Sequence, residues 1–134
     1  MKRNWILHIG SIIFGFPFVL IGIDHFVDPV WYEPIVPEIL GYPTFWVYAS
    51  GVFEIVLGAG LMFPRTRQIS AYGVALMLLV LYWANFNMWI NDIAIGGSKF
   101  GTNWHIMRAI IQVILIIICL TIAKYSSKSS QSSE

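Results

Sequence analysis

The chain has 134 residues, of which 57% are hydrophobic and 11% charged, with a net charge of +1 and a mean hydropathy of +0.72. An ordinary soluble domain carries about 25% charged residues, so this is the composition of one membrane domain. The near-zero charge without a basic run excludes nucleic acid as a partner, and the lone Cys119 excludes an internal disulfide or a Cys-x-x-Cys redox centre.

The first apolar stretch follows Met1-Lys2-Arg3 and imitates a signal peptide. It is longer than a signal-peptide core and has no small-residue cleavage site before Asp24, so it reads as a retained span over about 5–23. Within it His8, Ser11, Gly15, Phe18, Gly22 and His25 recur at alternating spacings of three and four residues. They form one stripe of mostly small and polar groups suited to helix packing. Pro17 lies off that stripe.

The next stretch, DHFVDPVWYEPIVPEILGYP, carries Pro29, Pro34, Pro37 and Pro43, which rule out a continuous helix. Two short helical turns are expected, starting near Asp28-Pro29 and Pro37. Val30, Trp31, Tyr32, Ile35, Ile39 and Leu40 make the segment too apolar for a free loop. It is expected to fold over the end of the bundle at the membrane interface.

The second span covers about 44–63 and holds one carboxylate, Glu54, roughly 15 Å deep and so near the bilayer midplane. A charge there costs about 2.5–3.5 kcal/mol on insertion scales, so Glu54 should face protein or water. Ser50, Gly51 and Gly58 share its face, which lets another helix approach closely. The third span, about 69–90, ends in an aromatic and amide-rich stretch, LYWANFNMWIND. Residues 91–103, with Gly96-Gly97, read as a loop. The fourth span, about 104–123, carries His105, Arg108 and Gln112 as one polar stripe on an Ile/Leu helix. Residues 1–125 thus form a single domain, followed by a polar tail, 126–134, expected to be disordered.

The expected fold is all-α: an integral membrane four-helix bundle with a short broken helical segment between its first two spanning helices. Lys2, Arg3, Arg65, Arg67, Lys124 and Lys128 fall on one side, opposite Lys99 with Asp24, Asp28, Glu33, Glu38 and Asp92. The positive-inside rule then puts both termini in the cytoplasm of a cell-membrane protein.

On this topology His25, Asn85, His105, Arg108, Gln112 and Glu54 gather between the outer surface and the midplane. Trp31, Trp46, Trp83, Trp89 and Trp104 lie on the same side. The reading is a ligand pocket opening outward, with aromatic walls and a Glu54–Arg108 pair near its floor. The competing reading is that the same pair is structural glue between helices and lines no site. His25 and His105 lack a third ligand, and His8 is about 25 Å from His25 along one helix, so no metal site is expected.

The motifs HFVDPVWYEPIVP, VYASGVFEIVLGAGLMFPRTR and ANFNM, with Arg108 and Gln112 following, resemble the DoxX family of small four-helix membrane proteins. The resemblance covers about residues 10 to 120. It departs at Trp83, where the family carries Pro before Ala84-Asn85. It implies a redox-linked membrane subunit, because DoxX-like proteins accompany quinol oxidation or sulfur-compound oxidation that delivers electrons to quinone. It equally implies an anchor or assembly partner of another complex. The chain has no cofactor motif of its own, so on the first reading a quinone occupies the pocket and a redox-enzyme partner supplies electrons. A third reading is an isomerase acting on a sterol-like lipid with Glu54 as proton shuttle.

Overall fold

The computed structural model describes the backbone of residues 2–131 and the side chains of residues 5–128. It is an all-helical bundle. α1 (Lys2–Val27) is followed by the short α2 (Pro29–Tyr32) and two 3₁₀ turns, Glu33–Ile35 and Glu38–Leu40. Then come α3 (Pro43–Met62), α4 (Arg67–Ile90) and α5 (Thr102–Gln131). α1, α3, α4 and α5 are each long and apolar enough to cross a membrane. Their outer faces carry Ile, Leu, Val and Phe, such as Ile13, Phe53, Leu79 and Ile117, exposed as lipid-facing side chains are.

Two helices run longer than the apolar stretches suggest. α1 begins at Lys2 and continues to Val27 through Pro17. α5 continues to Gln131, so residues 126–131, expected as a disordered tail, are helical; residues 132–134 lie outside the described residues. The apolar span supplies a helix already nucleated, and extending it costs far less than starting one. Lys128 sits 6.0 Å over the Tyr125 ring and favours the negative end of the helix dipole.

The bundle order is α1–α3–α4–α5, with α1 against α3 and α4 against α5 as the two closest pairs. The α1–α3 contact is backbone to backbone. A Cβ on Gly15 would lie 2.5 Å from the Gly58 carbonyl oxygen, and one on Gly22 would lie 2.7 Å from that of Gly51. The apolar core fills the half of the bundle nearer the termini, where Phe18, Leu61, Val74, Leu78, Cys119 and Ile122 meet. The other half holds buried His25, Glu54 and His105, while buried Ser11, Arg67 and Ser70 lie in the half with the core.

The connections end the helices by local chemistry. Gly41 (φ +61°) and Tyr42 (φ +47°) turn the chain into Pro43, the first residue of α3. α4 closes with Asp92 at φ +50°, where the Ile93 amide donates to Met88 at 3.0 Å and that of Asp92 to Trp89 at 3.3 Å. This is a Schellman cap with Asp where glycine is usual. Beyond it, Gly96 and Gly97 take φ +58° and +82° in a tight turn bridged by Ile95 and Ser98.

Candidate functional site

The proline-rich segment forms a roof, and each of three helices holds it by one hydrogen bond. The Tyr32 hydroxyl donates to Asp24 of α1 at 2.6 Å. The Thr44 hydroxyl of α3 donates to Glu33 at 2.6 Å. The Asn87 amide of α4 donates to the Ile35 carbonyl at 3.4 Å. Burial, then the hydrogen bond to Asp24, pushes the Tyr32 phenol above its ordinary range.

Beneath the roof, between α3 and α4, lies a cavity of about 580 Å³. Its walls are apolar: Val47, Phe53 and Leu57 from α3; Met77, Val80 and Leu81 from α4. Ile35, Pro37 and Leu40 close the top. Phe53, Leu76 and Val80 are also exposed on the outside of the bundle, so the cavity borders the lipid-facing flank. The lining residues with polar side chains are His25, Tyr32 and Ser50, with Trp46 and Trp83, and nearly all of the surface facing the cavity is apolar.

His25 is buried at the end of α1, and its ring stacks on Tyr32 with centroids 4.0 Å apart. Its Nδ1 lies 2.7 Å from the Ile21 carbonyl and 3.3 Å from Glu54 Oε2. Glu54 is 6% exposed, and its Oε2 is buried without a hydrogen-bond partner. α1 and α3 run antiparallel, and a Cβ on Gly51 would lie 2.9 Å from that of His25, so the glycine lets His25 in against α3 one turn from Glu54, whose carboxylate its ring then meets.

The expected Glu54–Arg108 pair is not formed. Among the described residues the ion pairs are His25–Glu54 and Lys99–Asp92. Arg108 projects from α5 onto α4, where it donates to Asn85 Oδ1 and, at 3.1 Å, to Met88 Sδ. The reason is packing: α3 meets α1 through glycines, so Glu54 is enclosed by α1, while α5 pairs with α4. Gln112, also on α5, donates to the Leu78 carbonyl of α4. His105 is buried and stacks on Trp89 at 5.7 Å. The six candidates therefore divide into two clusters. His25 and Glu54 lie at α1–α3; Asn85, His105, Arg108 and Gln112 lie at α4–α5. Of the six, His25 alone lines the cavity.

Two contributors went unread in the sequence. Tyr32 and Ser50 looked like interface and packing residues, yet both reach the cavity. On the opposite side Arg67 is 5% exposed and donates to Leu61 at 3.0 Å and His8 Nδ1 at 2.7 Å. A cation at the start of α4 is unfavourable to that helix dipole; this mismatch was the available signal that Arg67 serves the carboxyl end of α3.

The model of a family described as a domain of unknown function (DUF8561) matches residues 14–123. The chain belongs to the DUF8561 family. The DUF8561 region takes in α3, α4, the roof, the cavity, both polar clusters and the parts of α1 and α5 that hold them, and leaves His8 outside. No curated protein and no solved structure matches the chain.

Proposed function

We propose that this protein is a redox-linked accessory subunit of the cell membrane, similar to DoxX proteins, that seats a quinone-class amphiphile in the α3–α4 cavity. The observation that carries the reading is the cavity itself: about 580 Å³, apolar along its walls, with His25 and Tyr32 among the few lining residues that carry polar side chains. Small-molecule sites take this form, mostly apolar with a few polar groups that fix orientation. A ring-headed lipid fits it, with the head at His25 and Tyr32 and the tail leaving past Phe53, Leu76 and Val80 into the bilayer. Electrons come from a partner enzyme, and both termini lie in the cytoplasm by the distribution of Lys and Arg.

The test is extraction of the protein purified in mild detergent, with mass spectrometry of the released lipid. A prenylated quinone close to one per chain is the expected result. Bulk phospholipid alone would overturn the reading.

A second reading, a non-catalytic anchor or assembly partner, is favoured by one feature. Val27, Val30, Ile39 and Tyr42 are 74%, 68%, 85% and 83% exposed on the roof side, where an interface residue would meet another protein. On that reading Ile39→Asp loses a co-purifying partner while the stability of the bundle is unchanged.

A further inference from the structure

The cavity lining has a donor–acceptor balance that narrows what it binds. Three residues of the lining carry polar side chains, buried His25 and half-buried Tyr32 and Ser50, and each has its proton committed within the protein. The Tyr32 hydroxyl donates to Asp24 Oδ2 at 2.6 Å. The Ser50 hydroxyl donates to the Val47 carbonyl at 2.9 Å. His25 Nδ1 sits 2.7 Å from the Ile21 carbonyl, which only accepts, so the ring carries its proton on Nδ1.

Glu54 reinforces that tautomer. Its Oε2 stands 3.3 Å from the same Nδ1 and has no hydrogen-bond partner of its own. An oxygen there favours hydrogen on Nδ1 and disfavours a bare lone pair. Tyr32 stacks on the His25 ring, and the charged groups acting on its phenol are Asp24, Glu54 and Asp28. Glu54 is thus a positioning residue that acts through His25.

What remains for a ligand at His25 is a lone pair, Nε2 of the neutral ring, and the hydroxyl protons of Tyr32 and Ser50 are already taken up within the protein. The indoles of Trp46 and Trp83 are the donors on the lining, and both residues are substantially exposed, at 39% and 49%. A carbonyl buried among acceptors leaves polar atoms unpaired, which is costly. A hydroxyl brings the missing hydrogen.

We propose that the enclosed end of the cavity selects a hydroxyl-bearing amphiphile, the hydroquinone form of a quinone-class ligand over its carbonyl form, with His25 Nε2 accepting from the hydroxyl. This rests on the quinone reading for the identity of the ring, while the preference for a hydroxyl head stands on the hydrogen bonds alone.

The experiment is anaerobic titration of the protein in nanodiscs with decylhydroquinone, decylbenzoquinone and a long-chain alkylphenol, read by tryptophan fluorescence. Hydroquinone is expected to bind roughly tenfold or more tighter than benzoquinone, one well-made hydrogen bond's difference. Trp46→Phe and Trp83→Phe retain that order in the fluorescence of the remaining indoles. Benzoquinone binding equally or more tightly overturns the inference and leaves the quinone reading intact. Alkylphenol binding while both quinone-class probes fail overturns the quinone reading and keeps the hydroxyl preference. No saturable binding by any of the three overturns both.

A ligand-free measurement stands beside it. In ¹⁵N NMR the neutral His25 ring is expected to show a protonated Nδ1 and a bare Nε2. The mirror tautomer would overturn the inference. Glu54→Gln is expected to raise the share of the other tautomer and to narrow the hydroquinone preference, an effect that loss of packing alone does not produce.

Discussion

His25 Nδ1 stands 3.3 Å from Glu54 Oε2 across a helix contact in which a Cβ on Gly22 would meet the Gly51 carbonyl at 2.7 Å. The polar pair and the glycine pair are one device. Without side chains at Gly22 and Gly51, α1 and α3 touch through their backbones, and a buried acid is brought up to the ring behind the cavity.

Gly22→Ala is therefore expected to push α1 from α3. Backbone atoms at 2.7 and 3.0 Å cannot step aside as a flexible side chain would. Overpacking of this kind costs about 1–3 kcal/mol. Gly10→Ala is the control, since a Cβ there meets nothing within 4 Å. Reversible unfolding in mixed micelles measures both. Equal stability of the two variants would contradict the account of the contact.

Asn85 and Arg108 are expected to act as glue between α4 and α5. A double-mutant cycle with Asn85→Ala and Arg108→Ala should return a coupling near the average for membrane hydrogen bonds, about 0.6 kcal/mol and at most about 1.7. Ligand binding in the cavity is expected to survive both substitutions, because neither residue lines it. Ligand loss without loss of stability would move the site to the α4–α5 cluster.

Arg67→Lys is expected to destabilise the bundle by roughly 2 kcal/mol, within the usual range for a hydrogen bond to a charged group. Lysine lacks the fork that reaches the Leu61 carbonyl and His8 together. His8→Ala removes one acceptor and should cost less. The same unfolding assay ranks them; the reverse order would refute the capping role.

Tyr32 gives a pH signature. Its phenol is raised by burial and by Asp24, so the folded state favours the protonated form. That stability is complete below the ordinary tyrosine value of about 10 and is lost as pH rises through the raised value. Ultraviolet difference titration should find one tyrosine that ionises late in the wild type, and Tyr32→Phe should remove it. A late tyrosine persisting in the variant would assign the signal elsewhere.

The four spanning helices and the roof were legible because length and hydropathy set a spanning helix and proline breaks one. The buried side of Glu54 was legible too, from Ser50, Gly51 and Gly58 on its face. Its partner was not. The membrane depth of Arg108 suits Glu54, but depth does not say which helices are neighbours. That was decided by Gly15 and Gly22 meeting Gly58 and Gly51, a match between two stripes that each looked like generic packing. A pocket was expected, but its place between α3 and α4 was not legible for a related reason: its walls are largely ordinary Leu, Val and Phe, and its shape exists only after α3, α4 and the roof are assembled. The extent of α5 was hidden by composition, since the polar run after Tyr125 reads as a tail although helix propagation carries it to Gln131.

The central claim is that the ligand sits between α3 and α4 with its head at His25. The most direct measurement is quenching of tryptophan fluorescence by decylbenzoquinone and decylhydroquinone in wild type, Ala84→Phe and Arg108→Ala. Ala84 lines the cavity, so a phenylalanine there fills it, and Trp46 and Trp83 at the same lining report occupancy. The account expects saturable quenching in wild type and Arg108→Ala, lost in Ala84→Phe with its fold intact. Wild-type binding that persists in Ala84→Phe and disappears in Arg108→Ala would contradict it.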